Sequence, residues 1–486
     1  MNKEYPFNLL TEYMIKGYQI DTSKSYVIEK IKARELIVPQ RIDIIAKWLY
    51  IDAYVHNEDK KEAVELYRAH LDAFSCGNFI EPGSEYKNSL EKYMQVFDKL
   101  IENIRYQGFD EKKSIIPVGK NGEILDGSHR VAIAAYFDME ITIIRFPECE
   151  QNFGTDFFRN NLLNSEYLNK MVQQYLMLKE NCYFACLWPV SYDMTKLDVI
   201  KRIISKFGRI IYIEELVLNY NGLKNFMSQI YGHQSWVGTY ENCFSGVEGK
   251  VKPCFVKGKP IRTIVFEAHC LDDVLHIKKE IRDLYTLQNH SVHISDNIVE
   301  SRQMADLLYN KNSLHHLNYG KPCTFVSVQK ELDEIKSIIK QKNIKSDSIV
   351  IGCDGTMAIY GLGKCCNITE ISIGNQRLSI QELKTENGIA EYSWGDCAVN
   401  DLNKSVKNYF VYRGVKFSAL SRALERESID KTKKKIIQKC LKKGKDISFF
   451  SEERMLKFER KNKMYGMGLL SKWDYMKLKL KFLVYK

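Results

Sequence analysis

The residues best suited to chemistry stand in the run Asp126-Gly127-Ser128-His129-Arg130. Gly127 permits a sharp turn and the close approach of a ligand, because it has no Cβ. Ser128 is a favourable helix cap, and the free N–H groups at a helix N-terminus attract anions. His129 and Arg130 add side-chain donors at the same end. The run predicts a phosphate-binding turn, and a capped helix with a surface arginine is the alternative.

A hairpin and a helix must position this run. Residues 115–125 predict a β-hairpin, because two apolar stretches flank the turn Gly119-Lys120-Asn121-Gly122. A helix over 128–137 and a closing strand over 141–144 are predicted to follow. Residues 1–110 are predicted to be mostly helical, because their apolar residues recur at helical spacing.

The hairpin, the Asp-Gly-x-His-Arg motif, the alanine-rich helix and the closing strand together resemble the ParB/sulfiredoxin fold over residues 75–146. Sulfiredoxins carry a catalytic cysteine immediately before the His-Arg pair, where this chain has Ser128, so sulfinic-acid repair is disfavoured. ParB proteins carry an arginine pair and then a helix-turn-helix. This chain has His129 and no clear helix-turn-helix, so DNA binding is also disfavoured. The free serine kinase branch carries Asp-Gly-His-His-Arg, which differs only at Ser128.

The kinase branch implies a phosphotransferase that uses ATP or ADP with Mg²⁺ and acts on a small alcohol. Such an enzyme needs a carboxylate that positions or deprotonates the hydroxyl, and cations that hold the phosphates. In that branch a glutamate before the hairpin is the base, and Glu81 is the best match here; a carboxylate at a helix N-terminus is its alternative role. Lys87 is assigned to the same pocket. Asp126 is predicted to hold Mg²⁺ or the substrate hydroxyl, and His129 completes the predicted catalytic set.

A second grouping lies among the histidines, six of which fall between residues 269 and 316. A predicted strand carries His293, and Asp296 and Glu300 follow it at once. Metal ligation or acid-base chemistry is one interpretation, and structural histidines with satisfied partners are the other. Three cations on the preceding predicted helix would make an anion pocket here: Lys278, Lys279 and Arg282. Residues 235–238 and 293–313 also resemble uncharacterised proteins associated with bacterial surface-polysaccharide clusters.

Residues 347–445 resemble a nucleotidyltransferase-like domain. The strand Ile349-Val350-Ile351-Gly352 supplies the phosphate-binding glycine of such domains, and residues 357–361 the helix after it. At the position of the metal-binding Asp-x-Asp, however, the chain reads Asn367-Ile368-Thr369. An amide and a hydroxyl cannot replace two carboxylates around Mg²⁺. We therefore predict a binding or scaffolding module without certain metal ligands, closed by a hairpin over 409–417.

Length and charge frame these assignments. The 486 residues favour about three α/β (α+β) domains, at 1–150, 151–345 and 346–445, followed by a basic helical tail at 446–486. Residues 404–486 carry 24 Lys/Arg against 8 Asp/Glu, which is a local charge of +16. Because the whole chain has a net charge of +11, the first 403 residues carry a net charge of −5. Such a segment predicts contact with a polyanion or an anionic membrane surface, and a solvated helical face is the alternative.

The sequence predicts a cytoplasmic protein, peripheral at the inner membrane face if the basic tail binds lipid. It has no 18-residue apolar run, and its N-terminus lacks the order of a signal peptide. Its 13 cysteines include no C-x-x-C, which favours reduced thiols. The leading hypothesis is a small-alcohol kinase acting on a polar or sugar-derived substrate in surface-polysaccharide or cell-envelope biosynthesis. The alternative is a non-catalytic nucleotide- or polyanion-binding adaptor.

Overall fold

The computed structural model describes residues 6–56, 60–77, 79, 88–363, 367–373, 376–385, 405–425, 429 and 431–443. The chain forms two compact units. Among the described residues, the first unit comprises those up to Tyr175 and the second those from Leu176 onward. The predicted α/β (α+β) class is confirmed as a mixture of helices with several small sheets, whereas the predicted domain boundaries at 150 and 345 stay predictions. The predicted basic tail at 446–486 lies outside the described residues. None of the described helices has the length and apolar character needed to cross a membrane.

The described part of the first unit combines helices with one small sheet. Its helices are α1 Glu12–Gly17, α2 Asp43–Val55, α3 Lys61–Phe74, α4 Leu90–Gln107, α5 Ser128–Tyr136, α6 Thr155–Asn160 and α7 Ser165–Leu178, the last of which continues into the second unit. Its strands are β1 Ile28–Lys32, β2 Ile116–Val118 and β3 Glu140–Arg145.

The sheet of the first unit has the order β1-β3-β2. Strand β3 pairs antiparallel with β1 and parallel with β2, with Ile28 opposite Ile144 and Ile116 opposite Ile143. The predicted hairpin is present in minimal form, as a single bridge between Val118 and Ile124. The predicted helix and closing strand are confirmed as α5 and β3. Strand β1 was not predicted, because it lies in the segment assigned to helices.

Local sequence explains where α4 begins and ends. Ser89 precedes it and its side chain accepts a hydrogen bond from the backbone N–H of Lys92, while Gly108, with a φ of +79°, ends it. Tyr93, Phe97, Ile101 and Ile104 are its buried residues, spaced three or four apart. This apolar face of α4 packs on α5, the helix that carries the candidate site. The position of α5 therefore depends on apolar contacts with ordinary helical spacing.

The described residues of the second unit form two sheets and ten α-helices. Its helices are α8 Leu197–Ser205, α9 Tyr220–Ile230, α10 Glu248–Cys254, α11 Leu271–Tyr285, α12 Ile298–Leu308, α13 Lys311–Tyr319, α14 Val326–Gln341, α15 Cys353–Ile359, α16 Ile380–Thr385 and α17 Lys431–Lys443. Its strands are β4 Cys182–Leu187, β5 Gly208–Leu216, β6 Ile261–Ala268, β7 Val292–Ile294, β8 Ile349–Ile351, β9 Ile371–Ile373, β10 Gln376–Leu378, β11 Tyr409–Tyr412 and β12 Val415–Ser418.

The four-stranded sheet has the order β5-β6-β4-β7, and every neighbouring pair is antiparallel. The rule that ligands collect at the carboxyl ends of strands applies to parallel sheets, where those ends meet at one edge. Here the ends alternate, so the position of Asp296 after β7 is not by itself evidence for a site. The central layer is therefore of the α+β kind.

The five-stranded sheet has the order β10-β9-β8-β12-β11. The predicted hairpin at its edge is confirmed: Arg413 and Gly414 join β11 to β12, and both have positive φ, as a two-residue hairpin turn requires. Helix α15 begins at Cys353, four residues before the predicted start. Helix α17 buries Ile437 and Cys440 in the core of this sheet.

Candidate phosphate-binding site

Gly127 lies immediately before α5, and its backbone conformation requires glycine. Its φ is +84°, and a Cβ built there would lie 2.8 Å from Nη2 of Arg130 and 2.8 Å from Cδ1 of Ile116. The assignment of Ser128 as the cap is wrong: Ser128 is the first helical residue, and Gly127 is the cap, without a side-chain hydrogen bond. The backbone N–H groups of Ser128 and Arg130 find no acceptor in the described part of the chain, as at any uncapped helix start.

Arg130 is held across this turn by two partners. Its Nη1 donates to Oγ of Ser114, which lies just before β2, and its Nη2 lies 3.4 Å from Oδ2 of Asp126. The Arg130 side chain is 26% exposed and that of Asp126 is 46% exposed. The guanidinium is therefore positioned at the start of the helix and is still reachable from solvent. Asp126, predicted to be catalytic, is the partner of Arg130.

His129 is bound to the helices beside α5. Its Nε2 lies 2.8 Å from the hydroxyl oxygen of Tyr67, and its ring meets the ring of Phe97 edge to face at 4.7 Å. His129 lies in the first turn of α5 and contacts aromatic residues of α3 and α4. Nothing in the sequence marks the hydroxyl of Tyr67 as the partner of a histidine 62 residues away.

A buried ionic cluster lies close to the strand that leads to the turn. Asp43 pairs with Arg41 at 2.8 and 2.9 Å and with Lys47 at 2.9 Å. Nζ of Lys47 lies 3.4 Å from Nε2 of His70, and each of the four residues is at most 4% exposed. Burial would raise the pKa of Asp43, but the charges of Arg41 and Lys47 outweigh burial and hold that pKa well below its usual range. Burial, aided by the charge of Lys47, lowers the pKa of His70.

Arg41 connects this cluster to the candidate site. Its Nη1 donates to the carbonyl oxygen of Ile124, two residues before Asp126. This hydrogen bond joins the buried ionic cluster to the residues that lead into the turn. Sequence analysis missed it. The only available signal was the spacing of Asp43 and Lys47, which is also that of ordinary exposed helix pairs.

Two residues of the predicted site, Glu81 and Lys87, lie outside the described residues. The assignments of Glu81 as the base and of Lys87 to the phosphate pocket therefore stay predictions. The described site consists of the turn at Asp126 to Arg130, Ser114 and the partners of His129.

The second predicted grouping is brought together in the second unit. Nε2 of His293 lies 2.9 Å from Oε1 of Glu300, and the backbone N–H of Asp296 donates to Oε2 of Glu300 at 2.8 Å. Asn297 caps α12, and Glu300 is the third residue of that helix. Burial would raise the pKa of Glu300, but the hydrogen bond from His293 lowers it. Both oxygens of Glu300 thus already have hydrogen-bond partners within the chain, and no group of three or more metal-ligating side chains occurs among the described residues.

The segment predicted to be nucleotidyltransferase-like has its predicted residues around β8 and β9. Gly352 caps α15, and its N–H donates to the carbonyl oxygen of Glu370 at 2.8 Å. Thr369 donates its hydroxyl to Oδ2 of Asp354 at 2.8 Å, and Asn367 is exposed before β9. Asp354 therefore already has a hydrogen-bond partner in Thr369, which stands where the resemblance predicts the second aspartate of Asp-x-Asp.

Comparison with protein-family models, with curated proteins and with solved structures finds no match for this chain. The resemblances to the ParB/sulfiredoxin fold and to nucleotidyltransferase-like domains stay predictions.

Proposed function

We propose that the turn before α5 binds the phosphates of ATP or ADP and that the chain is a phosphotransferase acting on a small polar alcohol or a sugar-derived substrate. One observation carries the proposal. The left-handed Gly127 caps α5 with no side chain and leaves room for the Arg130 guanidinium beside the first turn. Backbone N–H groups and a guanidinium that converge at a helix N-terminus are the donors that phosphate oxygens need.

The surrounding charges support binding of an anion there. Arg41, which is buried, donates to the carbonyl oxygen of Ile124, so a buried guanidinium lies close to the turn. In the interior a charge is screened less than at the surface, so its field reaches further. The dipole of α5 adds a partial positive charge at the same end.

Transfer would require a carboxylate that takes the proton of the substrate hydroxyl. The hydroxyl oxygen then bonds to the terminal phosphorus of the nucleotide, and the bond from that phosphorus to the leaving phosphate breaks. We assign this role to Glu81, with Asp126 at the turn as the second candidate. Mg²⁺ bound to the nucleotide would neutralise phosphate charge. Asp126 fits as its protein ligand, because Mg²⁺ is commonly held by one or two carboxylates together with substrate phosphates.

The reaction is tested by mixing the purified protein with ATP or ADP, Mg²⁺ and a panel of small alcohols. Nucleotide consumption that depends on the alcohol supports the enzyme. In Glu81→Gln, turnover should fall while nucleotide affinity stays nearly the same, because the change removes the base but keeps the shape. Full activity in Glu81→Gln would move the base to Asp126, for which Asp126→Asn is the corresponding variant.

A non-catalytic nucleotide-binding adaptor is the second candidate. It is favoured by the internal partners of the predicted donors: His129 bonds to Tyr67, and Arg130 to Asp126 and Ser114. Tight nucleotide binding without turnover on any alcohol would support the adaptor. The link to surface-polysaccharide or cell-envelope biosynthesis depends on the resemblance alone, and so does the cytoplasmic placement that accompanies it.

Arg130→Ala should weaken nucleotide binding by about 1.5–3 kcal/mol, the range for a hydrogen bond to a charged group. Isothermal titration with ATP measures the change. Arg105→Ala is the matched control, because Arg105 is an exposed arginine on α4 and its loss removes the same charge. Equal affinities of Arg130→Ala and wild-type protein, with the fold intact, would contradict the phosphate site.

The basic segment is proposed to contact a polyanion or an anionic membrane surface. Helix α17 contains seven lysines and no acidic residue. Its Ile437 and Cys440 lie in the core, and most of its lysines are exposed. Removing the whole segment from residue 404 would also remove β11 and β12, so substitution is the better test.

Three exposed lysines of α17 can be replaced with glutamine: Lys434, Lys435 and Lys439. The triple variant should show several-fold lower retention on phosphatidylglycerol vesicles. The loss should shrink as salt rises, because exposed charges are screened within about 10 Å at 0.1 M. The control removes the same charge from exposed lysines of the first unit: Lys16, Lys24 and Lys113. Equal retention of both variants would favour a helix face that is merely solvated.

A further inference from the structure

A surface pocket of about 420 Å³ lies along α11 in the second unit, and three cations of that helix line it: Lys278, Lys279 and Arg282. Its volume falls within the range of pockets that take small molecules, which is about 300–1,000 Å³. The other polar residues of its lining are Asp283, Gln288 and Asn289. None of these residues belongs to the site proposed at α5, which lies in the first unit.

Two of the three cations are balanced by carboxylates. Lys279 pairs with Asp283 at 2.9 Å, and Lys278 pairs with Asp296 at 3.0 Å. Lys278 also donates to the carbonyl oxygen of Ile294 at 3.1 Å. These lysines are therefore neutralised within the chain.

Arg282 is different, because within the described residues its side chain forms no ion pair or hydrogen bond. Its Nε is buried without an acceptor, a state that native proteins rarely leave uncompensated. A second cation lies next to the lining residue Asn289: Lys250 is not itself a lining residue, but it donates to the carbonyl oxygen of Asn289, and the described part of the chain gives it no carboxylate. Burial, together with the charge of Arg282, lowers the pKa of Lys250.

We propose that this pocket binds a phosphomonoester, with its phosphate on Arg282 at the side of the pocket next to Lys250 and its hydroxyl groups on Gln288 and Asn289. Two neighbouring cations without a carboxylate partner among the described residues call for a dianion, and a phosphomonoester carries close to two negative charges at neutral pH. A carboxylate carries a single negative charge, so it would balance only one of the two cations. The planar guanidinium presents paired donors that match phosphate oxygens. The lining amides can both donate to and accept from hydroxyl groups.

Isothermal titration of the full-length protein with glucose 6-phosphate tests the pocket. Arg282→Gln and, separately, Lys250→Gln should each weaken binding about tenfold or more, because each removes a charged hydrogen bond. Lys206→Gln is the matched control and should leave the affinity within about twofold, since Lys206 lies outside the pocket and pairs with Glu280. Arg130→Ala should keep its affinity for glucose 6-phosphate, which separates this pocket from the site at α5.

Two further ligands complete the test. Glucose should bind far more weakly than glucose 6-phosphate, and equal affinities would overturn the proposal. Inorganic phosphate should bind more weakly than the ester, and equal affinities would overturn the role given to Gln288 and Asn289. Unchanged affinity in both Arg282→Gln and Lys250→Gln, or an equal loss in Lys206→Gln, would also overturn the pocket.

Discussion

Asp43→Asn should lower the free energy of unfolding of the first unit by about 3–5 kcal/mol, the usual range for breaking a buried ion pair from one side. The substitution keeps the shape of the side chain but leaves Arg41 and Lys47 buried without their anion. Urea titration measures the change in the free energy of unfolding. Hydrogen exchange in peptides of α2 shows whether the loss occurs at the helix that carries Asp43 and Lys47. Glu12→Gln is the control, because the pair of Glu12 with Lys16 is exposed and its loss should barely matter.

The same cluster predicts how acid affects stability. The pKa of Asp43 is lower in the folded protein than the value of roughly 4 expected in the unfolded chain. The unfolded state therefore binds this proton more readily, so the contribution is complete above about pH 4–5 and declines as the pH falls toward the folded pKa. Wild-type protein should lose stability below pH 4 more steeply than Asp43→Asn. Parallel pH profiles for the two proteins would contradict this account of the cluster.

Gly127→Ala should destabilise the first unit and weaken nucleotide binding together. A residue with a Cβ at a φ of +84° costs about 1–2 kcal/mol of backbone strain. The collision with Arg130 and Ile116 adds about 1–3 kcal/mol, the range for overpacking, and displaces the guanidinium from the turn. Denaturant unfolding and isothermal titration with ATP measure the two effects.

Gly122→Ala is an unusually close control for this experiment. Gly122 has the same φ of +84°, but a Cβ there would meet nothing within 4 Å. It should therefore show the backbone strain without the collision, and it should keep its affinity for nucleotide. Equal losses of affinity in the two variants would mean that the room left beside Gly127 has no role in binding.

The elements that the sequence predicted well are those specified by neighbouring residues. Helix α4 lies in the segment predicted to be helical from its apolar spacing, and the hairpin of β11 and β12 lies in the predicted hairpin over 409–417. Helix α5 was found, but its cap was assigned to the wrong residue. Ser128 has the right chemistry for a cap, yet Gly127, in a left-handed conformation, occupies the cap position, and Ser128 is the first helical residue.

The features that sequence analysis missed depend on residues far apart in the chain. Strand β1 is an edge strand whose residues alternate between exposed and half-buried, so it has no apolar face to reveal it. The burial of Asp43 is set by how α2 packs, and charged residues are mostly exposed. The partner of His129 lies 62 residues earlier. Local patterns therefore predicted the frame of the candidate site but not the contacts that fix its side chains.

The pairing of β1 with β3 has a consequence for the order in which the first unit folds. Glu29 and Arg145, which contact each other across this pair, are separated by 116 residues. Closing so long a loop costs chain entropy before any contact compensates for it, so such pairings form late and slow folding. On the ribosome, β1 must wait unpaired until β3 has emerged, although α2, α3 and α4 are already made. We therefore expect the turn at Gly127, which is separated from β3 only by α5, to be among the last parts of the unit to reach its native form.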